Sequence, residues 1–596
     1  MNPKQRAIKH FPFSGFALFA AGMNSLRKSS AFSGFSISRW MNCYVSAGFL
    51  FCFISLQSAA QQHGNRAGCF PTTWPVDMAN NNRSNTVTDC GFPSPFDSSL
   101  IQYTSIQLPF PAFSYSRESD EVFVMGGCPL VLFNYGAAIE TGQPSSPPVS
   151  YTSQFVPYIA RITPSTLIAD TLHLTGGAAA PYIGGAVMHA NGYIYAMAAG
   201  RLFKIQASPF QVVSWSDLPT YGFSQLNLFN GISVSRSGRI VAKTYNQIAG
   251  RGFLFLVEEG SLAVVDQLDL ALASPRLTLD IHANREYIYH LNTDYTFRVE
   301  IVNDSLRPDS TWIAAYDPYN TNSSDEPTSP VICGDQVFYT TNTLYSSNTP
   351  MKIFWQSKIQ NYSSADTLHG SFLHSDTINP GWSFFHLSID DTISNIIISN
   401  DQGRGRIAAG LLDTNNQYLL LWEKFITTSA RPAIVADRRH VYVSDFVNGA
   451  DHLVVLDLLT GQELARKSTL AVKPTIGTII ITPDDYVVYA SNEYGNSLGW
   501  VNMFRVPQVI NGVAFSGQAN TDPVIYPNPG YDEINIRFSC HDYDYMLFDS
   551  LGGLVLHAEH VSGNQLLDLS NKQEGIYFMV FKYGDQSSTF KLSLFK

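Results

Sequence analysis

Residues 431–469 read RPAIVADRRHVYVSDFVNGADHLVVLDLLTGQELARKST. A strand pair over 433–444 is followed by the apolar run Leu453 to Leu458 and the turn Thr460-Gly461. β-Branched and apolar residues bounded by turn formers mark strands, so the stretch reads as two successive hairpins, one four-stranded antiparallel unit. The first hairpin has counterparts along the chain: AVMHANGYIYAM (186–197), ISVSRSGRIVAK (232–243), LDIHANREYIYH (279–290), PVICGDQVFYTT (330–341) and TIIITPDDYVVYAS (478–491). Their centres lie roughly 40–55 residues apart, the interval of one propeller blade, except for a gap of about two such intervals between 330–341 and 433–444. Asn191-Gly192, Ser237-Gly238, Gly334-Asp335 and Asp484-Asp485 occupy the turns, where left-handed or tight geometry is needed.

A lone four-stranded sheet cannot hide both apolar faces, whereas sheets packed around a ring hide them all and leave few open edges. The expected fold is therefore all-β: a seven- or eight-bladed β-propeller followed by a small C-terminal β-sandwich. Blades are expected to begin near 183, 229, 276, 328, 382, 431 and 474, with 113–175 as the eighth candidate. The competing architecture is a pair of β-sandwiches, which rarely repeat one hairpin at this spacing. The 431–469 unit resembles the quinoprotein-like and WD-like propeller superfamily, whose blades often carry a similar strand and Thr-Gly turn.

Composition agrees with many short strands: 14% of residues are charged and 13% aromatic, with 42 Gly and 31 Pro. Residues 1–60 hold six basic and no acidic residues, then the apolar run Tyr44 to Leu56 and Ser58-Ala-Ala-Gln61. This is the pattern of a secretory signal peptide cleaved between Ala60 and Gln61, with either Met41 or Met1 as the start. The run is too short to span a bilayer comfortably, so the mature protein is expected to carry no transmembrane span. Without those six basic residues, 31 remain against 48 acidic ones, net −17. That balance argues against nucleic acid as a partner. An oxidising export route makes Cys69 and Cys90 a candidate disulfide closing a Pro/Asn-rich loop.

Catalytic signatures are missing. The chain has no HExxH and no complete calcium loop. No catalytic, cofactor-binding or metal residues are assigned, and no cofactor is expected. Quinone-dependent dehydrogenases resemble one another in A-x-D-x-x-T-G-x-x-x-W. Asp457, Thr460 and Gly461 match this motif, but Ala465 stands where Trp belongs, so Asp457 reads as a turn cap. Asp390-Asp391 and Asp484-Asp485 read as solvated turn carboxylates in preference to cation ligands.

The tail begins VIYPNPGYDEINIRF (524–538), after the polar linker SGQANTDPV. Each Pro fixes its own φ and extends its predecessor, making a corner before a new strand. Alternating segments follow to the last residue. In this order the parts closely resemble the C-terminal sorting domain of the Bacteroidetes type IX secretion system. The matching positions are Tyr526, Pro527, Asn528 and Pro529; Asp549 with Gly552; Asp568 with Gly575 and Tyr577; and the basic last strand Lys591 to Lys596. One departure is the second glycine of Gly552-Gly553. The resemblance implies export through the periplasm, recognition of the tail by the type IX machinery, and release or attachment at the cell surface.

The expected domains are 1–60 signal peptide and leader, 61–112 N-terminal Pro/Asn-rich segment, 113–512 propeller, 513–523 linker and 524–596 sorting domain. The cargo reads as a binding or adhesion module for an extracellular glycan, peptide or protein. The alternative is a hydrolase or lyase acting on extracellular polymers. Paired carboxylates facing one cleft would distinguish the alternative.

Overall fold

A computed structural model describes residues 67–127, 156–175, 183–219, 227–246, 251–271, 276–292, 295–315, 328–341, 351–368, 370–375, 387–402, 404–427, 430–472, 477–492 and 498–507. In the tail it describes 524–526, 533–537, 542–550, 552–562, 565–583 and 586–594. The leader with its Ala60–Gln61 junction, and the 513–523 linker, lie outside the described residues. The chain forms two compact units, 1–507 and 508–596.

Seven sheets of the first unit each take four consecutive antiparallel strands, starting at Phe113, Ile183, Asn227, Thr278, Val331, Ser388 and Ala433. We number them blades 1 to 7. Blade 8 takes Ile480–Ile481, Val487–Asn492 and Leu498–Arg505 from the end of the unit and Gln102–Pro109 from its beginning. Eight blades thus stand among the described residues of the first unit, resolving the seven-or-eight alternative. The recurring hairpins are the two inner strands of each blade, covered on both faces, which is why they read as near-continuous apolar runs. Outer strands alternate instead, as in Gln211–Asp217 and Val264–Ala271.

Apolar residues form clusters between neighbouring blades. Blades 3 and 4 share Leu254, Leu256, Leu279 and Ile288; blades 6 and 7 share Ile398, Ile407, Val441 and Leu456. Each cluster needs two blades, so a blade is stable only next to its neighbours.

The sequence reading starts the propeller at 113 and leaves 61–112 outside it. The structure corrects this in two places. Gln102–Pro109 pairs over its full length with Leu498–Arg505, closing the ring by joining its two ends. Upstream, residues 68–88 lie along the innermost strands of the blades as a plug. Carbonyls of Pro75, Asn81, Asn82, Ser84 and Asn85 accept hydrogen bonds from Met188, Leu279, Ile332, Ile389 and Ile434, in blades 2, 4, 5, 6 and 7. Asn81 Nδ2 donates to Val234 O of blade 3 at 3.1 Å, and Thr73 Oγ1 donates to Ile481 O of blade 8 at 2.5 Å. Thr72 and Thr73 meet Ser116 of blade 1 through their hydroxyls. Thr86–Val87 runs parallel to Ala433–Val435, adding a fifth strand to blade 7.

The tail unit has a three-stranded sheet, Val524–Tyr526, Glu533–Arg537 and Gln565–Asp568. A four-stranded sheet follows in the order Leu554–Val561, Tyr543–Asp549, Gly575–Tyr583, Gln586–Leu594. Ile534, Ile536 and Leu567 of the first share one core with Tyr543, Leu547, Met579, Phe581 and Leu592 of the second. This is the expected small β-sandwich.

The plug carries Trp74, fully buried among residues of blades 1, 7 and 8. Trp74→Ala should therefore destabilise the propeller by about 3–5 kcal/mol in urea unfolding, the cost of deleting a core aromatic. A loss under about 0.5 kcal/mol, typical of a surface site, would mean that the plug is not part of the core.

Candidate functional site

Four ionisable side chains converge where the plug meets the blades. Asp77 and Arg83 come from the plug; Arg276 and Arg431 stand just before, or at the start of, the innermost strands of blades 4 and 7. Asp77 Oδ1 accepts from Arg431 Nη1 at 2.9 Å, and its Oδ2 accepts from Arg83 Nη2 at 3.1 Å, with Arg276 Nε at 3.5 Å. All four residues are buried. Burial alone would raise the Asp77 carboxyl, but the charges of Arg431, Arg83 and Arg276 hold it well below the usual carboxylate range. Burial, with the repulsion of Arg431 and Arg276, pushes Arg83 down to about 9 against the pull of Asp77. At neutral pH the group thus holds one negative and three positive charges. It can bind and orient an anion, but has no member poised to move a proton near pH 7.

The plug backbone there is under strain. Met78, Ala79, Arg83 and Asn85, and Asp89 just after the plug, all have φ between 57° and 73°. Each left-handed non-glycine residue costs roughly 1–2 kcal/mol, so surrounding contacts must hold the segment in this shape. Sequence reasoning missed all four charged residues, because Asp77 and Arg431 meet across 354 positions and no local spacing announces them.

The residues singled out earlier are placed as follows. Asp390 caps its own turn, with Oδ1 accepting from Thr392 and Ile393 amides and Oδ2 from the Ser394 amide. Asp484 Oδ1 accepts from Thr482 Oγ1 at 2.8 Å, and its Oδ2 accepts from the Asp120 amide at 3.0 Å. Asp457 Oδ1 accepts from the Leu459 and Thr460 amides and the Thr460 hydroxyl. Its turn packs on blade 6: a Cβ at Gly461, where φ is +67°, would meet the Trp422 ring at 2.7 Å.

Cys69 and Cys90 are not joined. Cys69 packs with blades 2 and 3, its Sγ 3.7 Å from Asn81 Oδ1, whereas Cys90 belongs to the cluster of blades 1, 7 and 8. The chain between them is laid along the inner strands from blade 2 round to blade 7, which holds the two sulfurs at different blades.

In the tail, the motif residues shape turns. Asp549 Oδ1 accepts from the Gly553 amide at 2.8 Å and Asp549 O from the Gly552 amide at 3.1 Å, with Gly552 at φ +83°. Asp568 Oδ1 accepts from the Ser570 amide at 2.9 Å, and the buried Tyr577 donates its hydroxyl proton to Gln573 O at 2.6 Å. Gly575 opens its strand, and Tyr526 ends one paired at Asn535. Pro527, Asn528 and Pro529 lie outside the described residues.

Residues 524–594 match the family model of the secretion system C-terminal sorting domain. The tail is a type IX sorting domain. It marks the chain for export to the cell surface or beyond, by way of the type IX machinery as partner. Among the described residues no helix is long and apolar enough to cross a membrane. No curated protein matches the sequence. Among solved structures, the chain is similar to the propeller of Dos1 at 10% identity and TM-score 0.44, over 69% of this chain and 97% of that one. It is similar to the β-propeller domain of Cps50 (Swd1) from Myceliophteria thermophila at 13% identity and TM-score 0.36, over 56% and 98%. It is also similar to PorZ, a surface component of the type IX secretion system of Porphyromonas gingivalis, at 11% identity and TM-score 0.32, over 80% and 58%. The propeller assignment rests on the sheet order and ring closure, not on these likenesses.

One carboxyl in the sorting domain's cargo titrates near neutrality. Burial pushes Glu286 of blade 4 up to about 7 from 4.5, while its hydrogen bond from the Arg236 amide, at 2.7 Å, pulls it down. The folded state therefore binds this proton more tightly than the unfolded chain. The associated stability is complete below pH 4.5 and is lost as pH rises through 7. Glu286→Gln should remove a loss on the order of 3 kcal/mol across that interval, read as the difference between the two stability–pH curves. Parallel curves would refute the assignment.

Proposed function

We propose that the exported chain is a binding module of the cell surface or secreted space, with a polypeptide partner, and not an enzyme. Its export segment is read as residues 1–60, removed between Ala60 and Gln61. The observation that carries the binding reading is the plug. Its polar groups and carbonyls engage the inner strands of all eight blades, so the chain itself occupies the place where a propeller would admit a small substrate. Contact with a partner is thereby shifted to the outer strands and the connecting loops.

The outer strand of blade 6, Tyr418–Phe425, is an apolar edge of this kind. It is the last strand of its sheet, and Leu419, Leu421 and Phe425 are 52%, 38% and 78% exposed. An open strand edge with alternate apolar side chains suits an extended polypeptide, which would add main-chain hydrogen bonds and fill side-chain positions two apart. The hydrolase or lyase reading requires two carboxylates across one cleft, whereas the channel cluster joins one carboxylate to three guanidinium groups.

Deleting residues 522–596 should trap the protein in the periplasm, and cell fractionation showing normal surface display would refute the export route. A photo-crosslinker placed at Leu421 of the exported protein should capture a polypeptide, with capture at least roughly tenfold weaker in Leu419→Lys, a change costing about 1.4 kcal/mol or more. Turnover of an extracellular polysaccharide or peptide by the purified protein, with no crosslinked partner, would sink the binding reading.

A further inference from the structure

Two strands of the sorting domain are apolar on both faces. In Tyr543–Asp549, the side chains of Tyr543, Tyr545 and Leu547 enter the core, while Met546 and Phe548 lie on the opposite face, half-buried. In Gly575–Tyr583, Tyr577, Met579 and Phe581 enter the core, while Ile576, Phe578 and Val580 lie on the opposite face. These are the two central strands of the four-stranded sheet, paired so that Phe548 stands opposite Phe578 and Met546 opposite Val580. On the flanking strand Leu554 stands opposite Phe548. The six residues make one continuous apolar surface, in which Leu554, Ile576 and Phe578 are 58%, 43% and 39% exposed.

Strands apolar on both faces belong in a sheet that is covered on both sides. Here the three-stranded sheet covers one side, and none of the six outward residues joins the shared core. Among the described residues of this unit, one other large apolar side chain is exposed: Leu566, on the three-stranded sheet, in register with Asn535. A single exposed leucine needs no explanation, whereas six apolar residues on one sheet face mark an interaction surface.

Two features point to what covers it. Residues by which the tail resembles sorting domains frame the surface: Asp549 and Gly552 close the turn that brings Leu554 beside Phe548, and Gly575 opens the strand that carries Ile576 and Phe578. The surface is thereby tied to the partner that sorting domains share. The charged residues within or next to the two central strands are Asp544, Asp549, Glu574 and Lys582, three acids to one base. An acidic rim repels an anionic lipid surface and a second copy of the same face, and fits a protein surface with a basic rim.

We propose that this outer face of the four-stranded sheet is where the type IX machinery grips the tail, through an apolar, basic-rimmed protein surface laid over Phe578. The proposal rests on the tail being a sorting domain and names its docking face. Binding is non-covalent and driven by burial of the six apolar side chains.

The test uses the full chain in its native host. A photo-crosslinker at Phe578 should capture a component of the type IX machinery, identified by mass spectrometry, and one at Leu566 should not. Ile576→Lys combined with Leu554→Lys should lower the surface-exposed fraction roughly tenfold or more, the effect of losing about 1.4 kcal/mol of binding, while Leu566→Lys leaves it unchanged. Since the double variant can fail to fold, the crosslink from a chain altered only at Phe578 decides independently. Capture of a second copy or of lipid in place of the machinery, no capture at all, or normal surface delivery of the double variant would overturn the proposal. The export reading fails separately, when the chain lacking 522–596 reaches the surface.

Discussion

Inner-strand amides that face the centre of the ring must find acceptors, and this requirement governs the propeller. Leu279, Ile332, Ile389 and Ile434 each point a backbone N–H at the channel, in four successive blades. A buried amide without a partner is costly, and the ring has no strand of its own to place there. The segment 68–88 answers this need by offering its carbonyls one blade after another. A regular helix or strand cannot do so, since its repeat does not follow the step from blade to blade. The left-handed residues Met78, Ala79, Arg83 and Asn85 are the local expression of that mismatch.

The same geometry explains why charge is buried in the channel. Asp77 ties the plug to the ring through Arg276 and Arg431 and to itself through Arg83. An ion pair of this kind adds little net stability over an apolar core but is strongly specific about geometry. Its role fits a segment that has to stop at one position along the ring. Closure by Gln102–Pro109 against Leu498–Arg505 then follows, because the plug delivers the chain to the gap between blades 7 and 1.

The tail shows a different relation between sequence and structure. Its diagnostic residues cap or bend the backbone: Asp549 and Asp568 accept amide protons two to four positions ahead, and Gly552 supplies a positive φ. Such interactions are local, so they leave a pattern of residue types at short spacing that can be read directly. The cargo's channel residues leave none.

From the sequence alone, the blades, their spacing and the sorting tail could be read. Hairpins repeat because two-sided burial demands apolar inner strands, and turns demand Gly, Asn or Asp where φ is positive. Asp457 was legible as a turn cap for the same reason, its partners being within four residues; Asp390, read as a solvated turn carboxylate, is instead a buried cap, because the blades cover its turn. The fate of 61–112 was not legible. A Pro/Asn-rich stretch without periodicity has the composition of a loop, and only the closed ring provides the acceptors and donors that order it. Cys69 and Cys90 illustrate the point, since proximity in the chain favours a bridge while the path around the ring separates them. Local chemistry determined the elements; the channel, its plug and its buried charges arose when residues hundreds of positions apart were brought to a common centre.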